Sequence, residues 1–300
     1  MHTTLGPDPK KKPAPPSPPP MELAYGFPRN FLDNHYAYVV MSPRARGLTV
    51  GLNLTPARTC NYDCVYCEVK RDAPARGAEL DVEVLATELQ RTLAYVRSGR
   101  LRQLPAFAAL PDELLQLRHI ALSGDGEPTL CPKFAEVIQE AVHVRALGQF
   151  PFFKLVLITN ATGLDLPTVQ RGLKSFTKQD EVWAKLDAGT QEYADRVNRS
   201  QVPLAKVLAN ILALGRQRPV VIQSLFCAIQ GEEEPPEAEI EQYATRLKEL
   251  RDGGAKIPLV QIYSAVRPTA NSGCGHLPLK VLSRIAAYVK KTTSLPVEVF

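Results

Sequence analysis

Three of the six cysteines in this 300-residue chain lie within eight residues. The segment CNYDCVYC carries Cys60, Cys64 and Cys67 in the spacing C-x3-C-x2-C. Such a group of thiols is typical of a zinc site, a disulfide with one cysteine left over, or an iron–sulfur cluster. A structural zinc usually takes four protein ligands, and no second cysteine or histidine pair at the usual spacing follows. An iron–sulfur cube held by three thiolates leaves one iron open for a ligand, so the spacing favours the cluster over the zinc alternative.

A second motif, SGDGEP at 123–128, follows an apolar run and precedes a helical pattern. Its glycines let the backbone approach a ligand closely, and the Glu127 carboxylate can receive an ammonium group. The alternative is a plain strand-to-helix turn with Pro128 near the start of the helix. Its position in the next strand–helix unit after the cysteine segment favours a binding role.

The elements that position these motifs alternate along the chain. Strands are expected at 48–55, 119–123, 154–159, 181–187, 220–229 and 259–265, and helices at 81–98, 132–147, 166–175, 203–216, 236–251 and 278–291. This alternation predicts a parallel sheet covered by helices, and the nearly continuous apolar strands fit burial on both faces. Six units are too few for a closed eight-stranded barrel. The predicted fold is therefore α/β, a partial (β/α)6 barrel with one side open for a large substrate.

Polar residues fall where the predicted strands end, and in parallel sheets that edge gathers the chemistry. Asn160 follows the third strand, Lys185 and Asp187 lie at the end of the fourth, and Gln261 and Tyr263 lie on the sixth. Lys185 and Asp187 share a face because side chains alternate along a strand. A buried ion pair is the alternative for these two, and a turn residue is the alternative for Asn160.

The two motifs resemble those of the radical S-adenosylmethionine superfamily. Its C-x3-C-x-φ-C pattern, with φ aromatic, is met by Cys60, Cys64, Tyr66 and Cys67, and its GGE-type motif is similar to SGDGEP, with Asp125 in place of the first glycine. The resemblance implies a [4Fe–4S] cluster on the three cysteines, with its open iron chelated by the amino and carboxylate groups of S-adenosylmethionine. It also implies that Tyr66 lies beside the adenine and that Gly126 and Glu127 contact the methionine amino group.

Three further contacts follow from strand position in that superfamily, without a matched motif. Asn160 and Asp187 are expected at the ribose, and Lys185 at the methionine carboxylate. Asp125 is an alternative contact to the substrate. The phrases NLTP, CNYDCVYCEV, SGDGEPT and KLDAG resemble a branch that is grouped with wyosine-type transfer-RNA modification enzymes.

The resemblance implies an enzyme in which the reduced cluster cleaves S-adenosylmethionine to a 5′-deoxyadenosyl radical that abstracts hydrogen from an unidentified substrate. A transfer-RNA base is one candidate substrate, and a small molecule or peptide is another. A one-electron donor such as flavodoxin or ferredoxin is implied as partner. The alternative from another class is an iron–sulfur electron-transfer or sensor protein that does not cleave S-adenosylmethionine.

Composition sets the remaining expectations. The net charge is +5, and a Pro/Lys-rich tail at 1–22, expected to be disordered, supplies part of it. The single core domain expected at 23–300 is thus only mildly basic, which does not by itself predict a nucleic-acid-binding protein. No apolar run is long enough to span a membrane, and the start lacks the apolar region of a secretory signal. Unpaired cysteines in a chain of this size fit a reducing, cytoplasmic compartment.

Residues outside the motifs receive more modest roles. Cys131 and Cys227 are expected to be small buried hydrophobes. Cys274 lies with His276 in a glycine-rich loop near the predicted mouth, where a substrate, radical or extra-ligand role competes with simple loop filling. No cysteine-rich extension for a second cluster is evident. The basic residues near the cluster segment, interpreted as a solvated surface or an anion-binding patch, are Arg58, Lys70, Arg71 and Arg76. Arg267, in the loop after the sixth strand, adds to the candidate chemistry at the strand ends.

Overall fold

The computed structural model describes residues 23–24, 27–28, 31–70, 79–229, 232–266, 269–270 and 273–300. The tail predicted at 1–22 and the basic residues Arg71, Arg76 and Arg267 lie outside the described residues.

Helices and strands alternate through most of the described chain. The strands are β1 Leu23–Ala24, β2 Phe27–Pro28, β3 Ala37–Ser42, β4 Gly47–Asn53, β5 Leu117–Ser123, β6 Lys154–Thr159, β7 Glu181–Lys185, β8 Val220–Leu225, β9 Ala228–Ile229, β10 Val260–Tyr263, β11 Cys274–Gly275 and β12 Val297–Val299. The helices are α1 Val82–Arg97, α2 Pro105–Ala108, α3 Phe134–Ala146, α4 Pro167–Leu173, α5 Gln191–Val197, α6 Leu204–Gln217, α7 Glu237–Asp252 and α8 Leu279–Thr293.

Eight strands form one curled sheet in the order β12-β10-β8-β7-β6-β5-β4-β3. All neighbours are parallel except β3 and β4, which form an antiparallel hairpin. The predicted partial α/β barrel is confirmed, but the count of six strands was too low. The two added strands, β3 and β12, form the two edges of the sheet.

The sheet has two apolar faces, as expected for parallel strands covered by helices. On β7, Val182 and Ala184 pack into the large core beneath the helices. Trp183, on the opposite face of the same strand, packs with Val156 and Val221 in a separate cluster. We call this second side, around which the sheet curls, the concave face. Because side chains alternate, Lys185 lies on the concave face with Trp183.

Glu88 of α1 fixes the chain at the start of β3. Its carboxylate is buried and accepts hydrogen bonds from the backbone N–H groups of His35 at 2.7 Å, Tyr36 at 2.8 Å and Ala37 at 3.1 Å. The helix is itself capped by Asp81, whose carboxylate accepts bonds from two backbone N–H groups of the first turn. This contact holds the β3–β4 hairpin against the helix layer, and the hairpin leads directly into the cysteine segment.

Asp180, just before β7, joins three elements through one buried carboxylate. It accepts two hydrogen bonds from the Arg145 guanidinium of α3, at 2.7 and 3.1 Å, one from Leu155 N of β6 at 2.7 Å and one from Thr177 N at 2.7 Å. Burial alone raises the pKa of Asp180, but the Arg145 guanidinium and the backbone donors outweigh it, and the net pKa lies below the usual value. The carboxylate is thus stabilised in its charged form.

The Asp180 contacts predict an acid-dependent stability. A depressed folded-state pKa contributes stability that is present above the unfolded value of about 3.9 and is lost as pH falls through the folded-state pKa. We expect Asp180→Asn to cost about 3 kcal/mol at pH 7, because Arg145 loses its buried partner, and to cost less at pH 3. Urea unfolding at both pH values measures this difference. Asp165→Asn, which breaks an exposed pair with Lys206 at 2.6 Å, serves as the control, and an equal loss in both variants would contradict the prediction.

Candidate active site

The cysteine segment follows β4 at the edge of the sheet where the parallel strands end. Cys60, Cys64 and Cys67 form no disulfide, and all three are half-buried. The N–H of Tyr62 contacts Cys60 Sγ at 3.4 Å, and Asn198 Nδ2 contacts Cys64 Sγ at 3.6 Å. Such N–H donors to sulfur hold ligand thiolates in place in metal centres.

The donor set fits an iron–sulfur cluster better than a single zinc. Three thiols that form no disulfide lie on one short segment, and cluster irons are held by cysteine thiolates. Within the described ranges, no group of three or more His, Cys, Asp or Glu side chains is arranged to hold one metal ion. Burial, followed by the Asp187 carboxylate, raises the pKa of Cys64 to about 12. Burial and the nearby carboxylate therefore both disfavour the thiolate form of Cys64.

The 123–128 motif lies directly against the cysteine segment. The N–H of Glu127 donates to Thr59 O at 2.9 Å. A Cβ added at Gly126 would lie 2.0 Å from that same Thr59 oxygen and 2.9 Å from Thr55 Oγ1. Thr55 Oγ1 is buried and has no hydrogen-bond partner among the described residues. Because glycine has no Cβ, the backbone at Gly126 can contact Thr59, the residue directly before Cys60. The buried Thr55 hydroxyl beside this contact can still hydrogen-bond another group.

Asp125 belongs to the framework of this loop. Asn53, the last residue of β4, donates from Nδ2 to Asp125 Oδ2 at 2.9 Å and accepts from Asp125 N at 3.1 Å. Asp125 is 4% exposed. These bonds join the ends of β4 and β5, and the substrate contact considered for Asp125 stays a prediction.

Glu127 connects the ends of β5 and β6. Its Oε1 accepts from Thr129 N at 3.1 Å, Thr129 Oγ1 at 2.6 Å and Thr159 Oγ1 at 2.5 Å, and its Oε2 accepts from Asn160 N at 2.7 Å. Burial raises the pKa of Glu127, and these hydrogen bonds lower it again without restoring the usual value. Oε2 retains room for one more donor. The carboxylate therefore has a positioning role, and its predicted contact with an amino group stays a prediction.

Asn160 ties the end of β6 to the cysteine segment. Its Nδ2 donates to Asn61 Oδ1 at 2.8 Å, and its Oδ1 accepts from Thr162 N at 3.1 Å, as in a turn. Asn61 Nδ2 in turn donates to Thr162 Oγ1 at 2.8 Å. The turn role given as the alternative is present, and the ribose contact of Asn160 stays a prediction.

Asp187 gathers four partners after β7. Its Oδ1 accepts from Leu225 N at 2.9 Å and lies 3.2 Å from Lys185 Nζ. Its Oδ2 accepts from Asn198 Nδ2 at 2.9 Å and from the Tyr66 hydroxyl. The buried ion pair considered for Lys185 and Asp187 is therefore present, and it holds the aromatic residue of the cysteine motif.

Lys185 is the cation of this group. Burial lowers its pKa, but the Asp187 carboxylate and Tyr263 raise it, and the net pKa lies above the usual value. Its Nζ donates to Tyr263 Oη at 2.9 Å and lies 4.9 Å from the centroid of the Tyr66 ring. Burial, and then Asp187, raise the pKa of Tyr66. An ammonium in contact with two tyrosines thus faces the cysteine segment, while the contacts predicted for Tyr66, Lys185 and Asp187 with a cofactor stay predictions.

Two asparagines that take part in these hydrogen bonds were not predicted from the sequence. Asn198, at the end of α5, contacts both Cys64 and Asp187. Asn61 lies inside the cysteine motif, where an amide between two cysteines was the available signal. Asn198 belongs to an unpredicted seven-residue helix, and no motif marks it.

The other cysteines lie apart from the three-cysteine segment in the chain. Cys131 is 3% exposed and Cys227 is 1% exposed, as expected of small buried residues. Cys274 packs in the same small cluster as Cys227, beside the β9–β11 ribbon. A hydrogen bond between these two thiols raises the pKa of Cys227 and lowers that of Cys274. His276 is exposed.

The search for membrane spans covered the described part of the chain, and none of its helices has the length and apolar character to cross a bilayer.

A curled parallel sheet with three cysteines and a glycine motif at the ends of its strands defines the class of partial-barrel proteins built around an iron–sulfur cluster. The family model of the radical SAM superfamily matches residues 54–244, more than half of the chain. The chain belongs to the radical SAM superfamily, whose members are enzymes that use a [4Fe–4S] cluster and S-adenosylmethionine.

The curated relatives that match this chain are named UPF0026 proteins. A UPF0026 protein of Helicobacter pylori strain J99 is 29% identical over 180 residues, which cover 58% of this chain and 49% of that protein. A UPF0026 protein of Methanocaldococcus jannaschii is 25% identical over 179 residues, with 59% and 49% covered. The chain thus spans about half the length of the curated relatives it matches.

Solved structures share the fold at low sequence identity. TYW1 with a lysine-pyruvate adduct bound aligns with a TM-score of 0.53 and 16% identity, covering 83% of this chain and 74% of that one. Streptococcus suis SuiB bound to S-adenosylmethionine aligns with a TM-score of 0.56 and 14% identity, covering 86% and 52%. These similarities concern the partial barrel.

Proposed function

We propose that this chain binds a [4Fe–4S] cluster through Cys60, Cys64 and Cys67 and uses it to cleave S-adenosylmethionine reductively. When bound, the cluster supplies the electron that releases methionine and a 5′-deoxyadenosyl radical, which takes a hydrogen atom from the substrate. The observation that carries the proposal is the contact between Gly126–Glu127 and Thr59, because it joins the glycine motif to the residue before the first cysteine.

The chain's own residues position the reactants. Asn198 donates toward Cys64 Sγ at 3.6 Å and keeps that ligand oriented. Glu127, fixed by its four hydrogen bonds, offers its remaining acceptor position to the methionine ammonium, and the adjoining backbone of Gly126 approaches the same group. Lys185 offers its ammonium to the methionine carboxylate.

The nucleoside part of S-adenosylmethionine has its own partners in this proposal. Tyr66 presents its ring beside the adenine, since its hydroxyl is held by Asp187. Asn160 and Asp187 offer side-chain oxygens to the ribose hydroxyls at the ends of β6 and β7. An electron donor such as flavodoxin or ferredoxin delivers the electron, since radical SAM enzymes generally require a reductant.

The substrate is proposed by class only. TYW1 is described with a lysine-pyruvate adduct, and SuiB is described with a precursor peptide. A transfer-RNA base, from the likeness to the wyosine-type branch, is one candidate, and a small molecule or peptide is the other. Any of these substrates would enter at the end of the barrel where the parallel strands terminate and the cysteine segment lies.

Electron paramagnetic resonance of the anaerobically reconstituted, dithionite-reduced full chain tests the proposal. We expect a [4Fe–4S]⁺ signal whose g-values shift when S-adenosylmethionine is added, together with release of methionine and 5′-deoxyadenosine. Cys64→Ala is expected to lose both signal and products, because one of three ligands is gone. Cys131→Ala removes a buried thiol outside the motif and should keep the signal.

The same experiment decides between the proposal and an electron-transfer or sensor role. A normal cluster signal that is indifferent to S-adenosylmethionine, with no 5′-deoxyadenosine formed, would favour the electron-transfer protein. Zinc bound in place of iron after anaerobic reconstitution would overturn both.

A further inference from the structure

The turn between β3 and β4 reaches across the concave face to the opposite edge of the sheet. Arg46 of this turn donates from Nη2 to Glu298 Oε2 of β12 at 2.9 Å. Arg44 of the same turn places its guanidinium carbon 4.2 Å from the centroid of the Tyr263 ring on β10. The turn therefore carries one arginine to the Glu298 carboxylate of β12 and the other to the Tyr263 ring of β10.

Among the described residues, Arg44 has no anionic partner, whereas Arg46 pairs with Glu298. In the described part of the chain, its side chain makes no hydrogen bond or ion pair, and its Nε is buried without an acceptor. A guanidinium stacked on an aromatic ring keeps its N–H edge free for in-plane acceptors. That edge matches the two oxygens of a carboxylate.

Lys185 contacts the same aromatic residue. Its Nζ donates to Tyr263 Oη at 2.9 Å and lies 5.3 Å from the ring centroid. Asp187, 3.2 Å away, compensates Lys185, and its oxygens also serve Tyr66, Asn198 and Leu225 N. Two cations thus contact Tyr263, and within the described residues the carboxylate that pairs with one of them, Asp187, also accepts from three other groups.

The deeper part of the concave face carries the Glu181 carboxylate, which is already paired with Lys154 Nζ and accepts a hydrogen bond from Trp183 Nε1 at 2.7 Å. His119, 1% exposed, packs edge-on against Trp183 and has a buried Nδ1 with no partner among the described residues. Burial first, and then Lys154 and Arg44, lower the pKa of His119 to about 3, so the ring is neutral. A buried polar ring nitrogen and an uncompensated guanidinium therefore belong to the same face.

We propose that Arg44, stacked on Tyr263, forms a subsite for a carboxylate of the substrate, so that the substrate class is a small carboxylic acid. The inference rests on the proposed function above. Arg44 lies one aromatic ring further from the cysteine segment than Lys185, which contacts both Tyr66 and Tyr263. Lys185 is therefore the cation nearer the methionine carboxylate, and Arg44 is the cation left for a second molecule.

Isothermal titration with succinate as the carboxylate probe tests the subsite on the anaerobic, cluster-loaded full chain saturated with S-adenosylmethionine. We expect millimolar binding that Arg44→Met weakens by about tenfold, the loss of a charge-assisted contact. Arg46→Met is the matched control, because it removes an equal charge from the same turn and should leave binding unchanged. Arg44→Lys keeps the charge without the planar fork and should give an intermediate affinity.

Four results would overturn the subsite. Equal succinate binding by wild type and Arg44→Met would show that Arg44 holds no carboxylate. Inorganic phosphate bound through Arg44 more tightly than succinate would make the ligand a phosphate. Loss of the S-adenosylmethionine-induced g-shift in Arg44→Met would assign Arg44 to the methionine carboxylate. Displacement of succinate by transfer RNA, with equal losses in the Arg44 and Arg46 variants, would make the ligand an RNA.

The proposed function is tested separately from the subsite. It fails if the wild-type cluster signal is indifferent to S-adenosylmethionine, whereas the subsite fails on the comparison of the Arg44 and Arg46 variants.

Discussion

Asp187→Asn is expected to destabilise the folded protein by about 3 kcal/mol, because the buried Lys185 ammonium loses its counter-ion. The carboxylate is 3% exposed and accepts from four groups. An asparagine can keep the Leu225 N–H bond with its oxygen, but its NH₂ group then faces the donors of Tyr66 and Asn198. Urea unfolding at pH 7 measures the free-energy loss.

A double-mutant cycle separates the charge effect from the hydrogen bonds. Lys185→Met alone leaves the carboxylate uncompensated, and the pair Lys185→Met with Asp187→Asn removes both charges together. We expect the double variant to be more stable than Asp187→Asn alone, because no buried charge is left without a partner. Strict additivity of the two losses would show that the ion pair contributes nothing of its own.

The repeating part of the fold follows directly from the sequence, and the edges do not. The strand predicted at 154–159 is β6 as observed, and the helix predicted at 81–98 is Val82–Arg97. Each of these has a clear apolar pattern and turn residues around it. β3 and β12 were missed because β3 is followed by no helix and β12 has only three residues. An edge strand depends on the neighbour that it pairs with, which local pattern does not reveal.

The site shows the same division between local motif and distant contact. Cys60, Cys64 and Cys67 were predicted to be cluster ligands because ligand spacing is a local property of the chain. The surrounding contacts were not predicted from the sequence. Asn198, which contacts Cys64, follows a short helix far away in the chain. Arg44, which contacts Tyr263, lies in a hairpin turn. Lys185 and Asp187 were located by strand position, and only the structure shows them paired with one another.

Gly126 belongs to the glycine motif, and its backbone also packs directly against Thr59 at the start of the cysteine segment. We expect Gly126→Ala to lower iron content by about tenfold and to destabilise the protein by about 3 kcal/mol, the upper range for an overpacked site. The new Cβ would lie 2.0 Å from Thr59 O and 2.7 Å from Thr59 C, both backbone atoms that no rotamer change can move. Relief requires a shift of the chain at Thr59, and Cys60 shifts with it. Iron analysis after anaerobic reconstitution and urea unfolding of the same samples measure the two effects.

Gly273→Ala is the matched control, because no atom of the described residues lies within 4 Å of its added Cβ. If backbone crowding at Thr59 is the cause, the control keeps its iron and stability while Gly126→Ala loses both. A Gly126→Ala variant with normal iron content and normal stability would mean that the two loops can separate without cost. The contact between the glycine motif and the cysteine segment, on which the proposed function rests, would then have no energetic weight.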